Sequence, residues 1–179
     1  VLVRKLLTAT QVKKFIPARK AKSRKGDNGT VLIIGGSYIY HGAPILSSIA
    51  ALRCGVDLVY TSVPKVNVIP TRAVSPNLIV IPLVDQKLTR GAVNKLLGAL
   101  PHKLDSATIG MGLAVQERGS LLLLIKSLLD RDVRLSLDAS ALVPDVLPLL
   151  PDKNVVVTPH AGEFKRLFGT MPPDSKKDR

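Results

Sequence analysis

The chain has 179 residues, 46% of them hydrophobic and only 3% aromatic, with a formal charge of +13. That length gives one domain with a sizeable aliphatic core, and the single cysteine, Cys54, excludes an internal disulfide framework and fits a reducing compartment. The most apolar helix candidate, Leu121 to Leu129, is too short to span a bilayer and contains Lys126, and the opening Val-Leu-Val is broken at once by Arg4 and Lys5, unlike a signal peptide; a soluble, cytoplasmic protein is expected.

Residues 1–24 form a basic arm, and the domain proper is expected over residues 25–179. Nine bases and no acid fall within residues 1–26, which leaves +4 of the +13 for everything after. Such an arm can contact phosphates. It holds one aromatic, Phe15, and so almost no stacking platform; a solvated, partly disordered lead-in is the preferred reading.

The turn residues Gly26-Asp27-Asn28-Gly29 lead into Thr30 to Ile34, a β-branched and apolar run with the composition of a buried strand. It ends in Gly35-Gly36-Ser37. A helix is predicted from about Ala43 to Arg53, with Pro44 near a first helical position and Gly55 as its stop. Cys54, at that helix end, reads as a small buried filler. Asp57 to Val63 is a second strand, and Pro64, Pro70 and Pro76 punctuate an irregular or short-helical stretch. Asn77 to Leu83 is a third strand with Pro82 at its end, and Thr89 to Leu100 has helical spacing up to Pro101. Ser106 to Ile109 is a fourth strand, Val115 to Leu129 a helix, and Val133 to Leu137 a fifth strand. Residues 141–150 look helical despite Pro144 and Pro148; Asn154 to Val157 is a sixth strand and Ala161 to Phe168 a last helix.

Strands alternating with helices at this spacing mean βαβ units, hence an α/β fold with a mostly parallel sheet and helices on both faces. Ligands of such sheets bind at the carboxyl ends of the strands. Four loops stand there: Gly35-Gly36-Ser37, Gly110-Met111-Gly112, Asp138-Ala139-Ser140 and Thr158-Pro159-His160. They should converge in space. Neither glycine pair has the spacing of a dinucleotide fingerprint or of a phosphate loop. Asp138 can cap the next helix or touch a metal or a substrate hydroxyl, and both readings stand. His160, three residues before Glu163, suits a helix start with an acid in its first turn. As a loop residue at a strand exit it ranks above His41 and far above His102. Zinc-ligand spacing, a nucleophile elbow and paired-carboxylate signatures are missing.

Together these residues resemble the ADP/ATP-dependent NAD(P)H-hydrate dehydratases, members of the ribokinase-like superfamily. The likeness runs from Lys25-Gly26-Asp27 and Gly29 through Val31 to Ser37, Tyr40, Gly42-Ala43-Pro44 and Ala50 to Gly55. It resumes at Ile109-Gly110-Met111-Gly112-Leu113, at Leu137 to Leu142, and at Val157-Thr158-Pro159-His160-Ala161-Gly162-Glu163-Phe164 with Leu167.

The resemblance implies a ribokinase-like three-layer sandwich, present in part. It also implies repair of NADH or NADPH hydrated at the nicotinamide ring, with ATP or ADP and Mg2+ used to phosphorylate the ring hydroxyl before phosphate is eliminated. Ala43, Gly112 and His160, with Glu163 in the same motif, would line the hydrate side, and Asp138 would orient loops or a magnesium-bound water. The partners implied are the hydrate and the nucleotide, with no membrane, no nucleic acid, and a homo-oligomer as assembly. The pattern departs at Ser140, where the family has a second acid, and at Ala114, where it has a glycine. The family's Gly-Thr-Gly-Asp segment, with its catalytic Asp, and a later lysine-containing nucleotide loop are expected beyond Arg179. The 179 residues alone are therefore expected to turn over very little. The alternatives are a small-molecule kinase of the same superfamily and a non-catalytic module holding nucleic acid through its arm.

Overall fold

The computed structural model describes residues 6–16, 18–19 and 21–172. The residues that bear on a signal peptide, at the extreme amino end, lie outside that set. Within it, six strands form one parallel sheet in the order β3-β2-β1-β4-β5-β6. They are β1 (Thr30–Ile34), β2 (Leu58–Pro64), β3 (Leu78–Leu83), β4 (Ser106–Ile109), β5 (Arg134–Leu137) and β6 (Val155–Val157). The helices are α1 (Ala9–Phe15), α2 (Gly42–Arg53), α3 (Val68–Val74), α4 (Arg90–Ala99), α5 (Arg118–Leu129) and α6 (Ala161–Phe168).

Strand alternation sends β1 side chains to both faces of the sheet. Leu32 and Ile34 join a cluster with Val93 and Leu96 of α4, Leu124 and Leu128 of α5, and Leu167 of α6. Ile33 joins the other, with Val59, Val63, Val68 of α3, and Ala51 and Leu52 of α2. The sheet is thus covered on both sides, and the molecule has three layers.

Several local features have clear causes. Pro82 is exposed on β3, an edge strand, where a missing N–H costs no ladder bond. The expected helix start at Val115 is displaced to Arg118 because the chain first runs extended beside Leu88. The Leu88 N–H donates to the Ala114 carbonyl at 2.7 Å, and the Gln116 N–H to the Leu88 carbonyl at 3.2 Å. Residues 144–149 form a 3-10 helix, since Pro148 lies inside it and cannot donate. Cys54 is exposed and does not fill the core: α2 ends there, and Gly55 turns the chain away with φ +92°.

The arm also differs from expectation. It contains α1, closed by a capping box in which Thr8 and Gln11 satisfy each other's backbone N–H groups, yet the helix buries no residue. The arm meets the domain through Arg19, which pairs with Asp57.

Candidate functional site

The parallel register fixes where the strand ends fall. Ile34 lies beside Ile109, Ile109 beside Leu137, and Leu137 beside Val157. The residues that follow therefore emerge in a row along one edge: Gly35, Gly110, Asp138 and Thr158. The chain winds from β1 outward to β3 and then returns to β4 on the other side of β1. The crevice between the carboxyl ends of β1 and β4 is thus a topological switch point, the favoured ligand position in such sheets.

At that crevice the two glycine loops close on each other. The Gly36 N–H donates to the Met111 carbonyl at 2.9 Å, and the Gly110 N–H to the Ile34 carbonyl at 3.0 Å. Gly112 has φ +65°, and a Cβ there would lie 2.9 Å from the Tyr40 Cβ. Gly110 has φ +120°, and a Cβ there would overlap the Asp138 carbonyl oxygen. Both positions demand glycine for space as well as conformation. Pro44 packs over Gly36, and Ala43 stands exposed beside it on the first turn of α2. Tyr38, Ile39 and Tyr40 are also exposed on this lip.

The β5 and β6 ends form the second half of the row. The Thr158 hydroxyl donates to Asp138 Oδ1 at 2.7 Å. Asp138 starts a 3-10 turn but makes no side-chain cap bond, so of its two sequence readings the capping one is not realised. Ala139 follows with φ +46°, a left-handed conformation rare for a residue with a side chain. The Ser140 N–H donates to the Gly110 carbonyl, which joins the two halves of the row.

His160 is the N-cap of α6. Its Nδ1 accepts from the Gly162 and Glu163 N–H groups at 3.0 and 3.4 Å, so the ring proton sits on Nε2. The Glu163 carboxylate accepts from the His160 N–H at 3.0 Å and lies 3.4 Å from Nε2. The His160 side chain is 73% exposed and that of Glu163 only 11%. Glu163 is thus spent on aiming His160, while the imidazole stays open. His41 makes no cap bond at the start of α2, and His102 is exposed in a loop.

One residue outside the sequence-derived set belongs to this edge. Asn67, 4% exposed, follows β2 and donates from Nδ2 to the Ser37 carbonyl at 2.7 Å. Its signal was its place just beyond the end of β2, a strand end outside the four loops singled out from the sequence.

The described residues hold no group of three His, Cys, Asp or Glu side chains able to hold a metal ion. A hollow of about 910 Å³ lies at the opposite, amino edge, between the arm and the strand starts, lined by Arg19, Asn28, Cys54, Asp105 and Arg134 among others. Of its polar groups, Arg19 and Asn28 bond Asp57, and Arg134 bonds the Asp105 carbonyl. The Asp57 carboxylate beside it accepts from the Gly26 and Asn28 N–H groups, the Asn28 amide and Arg19. The Asn28 backbone N–H, opposed by burial and aided by the Asn28 side chain, Arg19 and Gly26, holds the Asp57 carboxyl below its ordinary value.

A family model described as NAD(P)H-hydrate dehydratase matches residues 31–179. The chain belongs to that family. The match spans all four loops of the carboxyl-edge row. Among curated relatives, the ADP-dependent (S)-NAD(P)H-hydrate dehydratase of Nitrosopumilus maritimus is 80% identical over 99% of this chain and 62% of its own length. The ATP-dependent (S)-NAD(P)H-hydrate dehydratase of Entamoeba histolytica is 32% identical over 90% of this chain and 54% of its own. The crystal structure of the ADP/ATP-dependent NAD(P)H-hydrate dehydratase from Bacillus subtilis, co-crystallized with ATP/Mg2+, superimposes with a TM-score of 0.70 at 29% identity, covering 90% of this chain and 55% of that one. The chain therefore spans only part of the length of its dehydratase relatives, between 54% and 62% in the two curated cases. No helix among the described residues is long and apolar enough to cross a membrane.

Proposed function

We propose that residues 25–179 form the hydrate-binding side of an ADP-dependent NAD(P)H-hydrate dehydratase domain, with residues 1–24 as an arm outside it. The supporting observation is the row of strand-end loops at the switch point, lying wholly within the family match. The 80% identical relative's name favours ADP as donor over ATP. In this reading the ring hydroxyl of hydrated NADH or NADPH takes a phosphoryl group. The C–O bond then breaks with phosphate leaving and a ring proton lost, which restores the double bond.

This chain's own residues act on the substrate. Gly112 and Ala43 leave an open wall against which the partly saturated ring can lie, since neither offers more than a methyl group. His160 turns its exposed imidazole to the substrate, its Nδ1 held by the Gly162 and Glu163 N–H groups and its Nε2 lying 3.4 Å from the Glu163 carboxylate. Asp138, accepting from the Thr158 hydroxyl, ties the loop after β5 to the loop after β6. Nucleotide and Mg2+ do not fit these residues by themselves: no three-ligand cluster is present among those described, and the glycine turns lack a phosphate-loop lysine. Those contacts are assigned to the remaining length that the relatives have.

The protein is read as cytoplasmic and homo-oligomeric, with the hydrate and the nucleotide as its ligands. The kinase and nucleic-acid alternatives gain no support from the relatives. The test is the recovery of NADH absorbance when a complete protein carrying these residues is given NADH hydrate and ADP. Recovery supports the reading. Accumulation of a stable phosphorylated hydrate favours the kinase, and no nucleotide-dependent change removes both.

A further inference from the structure

The β2–α3 connection reaches into the carboxyl edge through one buried amide. Asn67 is the N-cap of α3, yet its side chain makes no cap bond. Its backbone is held from below, where the buried Thr71 hydroxyl donates to the Asn67 carbonyl at 2.6 Å. The amide, free of capping, donates across to the Ser37 carbonyl. Ser37 and Tyr40 then close a turn: the Ser37 N–H donates to the Tyr40 carbonyl at 2.7 Å, and the Tyr40 N–H to Ser37 Oγ at 3.1 Å. Tyr40 in turn stands against Gly112. A continuous line of contacts thus leads from the core of α3 to the crevice between β1 and β4.

We infer that Asn67 is a positioning residue for substrate binding: it sets the Ser37–Tyr40 turn, and through Tyr40 the width of the crevice at Gly112. The inference rests on the proposed hydrate site for its kinetic consequence, but not for its structural one. A buried amide is stable only with its partner, and losing the donor leaves the Ser37 carbonyl unmatched at the base of the turn. Asparagine is required for a donor. Aspartate has the same shape but turns a second acceptor toward that carbonyl.

The test uses the complete protein and compares Asn67→Ala, Asn67→Asp and Ser37→Ala. The last removes the acceptor of the Tyr40 N–H from an exposed turn and leaves the α3 core untouched. Each variant should raise KM for NADH hydrate by roughly three- to tenfold, the worth of one neutral hydrogen bond, with kcat within about twofold. Amide exchange at Tyr40 should quicken in all three. Aspartate restoring the wild-type KM would show that only shape matters and overturn the inference. So would a fall in kcat at constant KM, or unchanged exchange at Tyr40. If the wild-type protein fails to repair the hydrate, the functional reading fails, while Tyr40 exchange still decides whether Asn67 sets the turn.

Discussion

Gly112 and Tyr40 touch across the switch point of the sheet, with no room between them for even a methyl group. The contact joins the loop after β4 to the loop after β1, and it forms part of the wall proposed above for the substrate ring.

Gly112→Ala therefore tests that wall. The left-handed backbone alone costs an alanine about 1 kcal/mol, and the methyl must push Tyr40 aside. The melting temperature should fall by a few degrees, roughly the shift of 1–2 kcal/mol in a domain of this size. KM for the hydrate should rise more than tenfold, because the displaced Tyr40 enters the crevice. Steady-state kinetics with a parallel melt separate the two effects.

His160 has two roles that substitution can divide. His160→Ala removes both the cap and the imidazole, and should cost about 1 kcal/mol of stability, together with activity. Asparagine is an excellent N-cap. His160→Asn should keep the wild-type melting temperature and still lose most of kcat/KM. An asparagine variant with full activity would reduce His160 to a structural cap.

Much of this was legible in the chain. The limits of β1, β4 and α6 follow from local signals: a β-branched run stopped by glycine, and a histidine with an acid three residues on. The positions that resisted share a dependence on distant partners. The start of α5 is displaced by Leu88, which no local pattern around Val115 could reveal. Cys54 is exposed where α2 ends, on the wall of the amino-edge hollow. Asn67 matters only because β2 lies next to β1, and strand order is not written in periodicity. The capping box of α1 is the exception, since Thr8 and Gln11 stand at the signature spacing within a segment dominated by its charge.

Gly110→Ala tests how the two halves of the row are joined. Its Cβ would overlap the Asp138 carbonyl and press on Ala141, both backbone-anchored. The β4 and β5 loops cannot remain side by side, so the variant should be destabilised by more than about 3 kcal/mol or fail to accumulate as folded protein. Chemical denaturation against wild type provides the check.

Asp57 makes the amino edge acid-sensitive. Its folded carboxyl lies below the ordinary 3.8, so the stabilisation is complete above that pH and disappears as pH falls toward the folded value. Melting curves should show a loss on acidification below about pH 4, and Asp57→Asn should be less stable at pH 7 while losing less on acidification. Equal acid sensitivity in both proteins would assign the effect to other carboxylates.

The hydrate is proposed to lie at the carboxyl edge, between Gly112 and His160, and not in the hollow at the amino edge. A crystal structure of the complete protein with NADPH hydrate tests it most directly. The modified nicotinamide ring should lie within about 4 Å of Ala43 and Gly112, the distance of van der Waals contact, with a ring substituent facing His160. Density for the ligand beside Arg19 and Arg134, with the carboxyl edge empty, would contradict it.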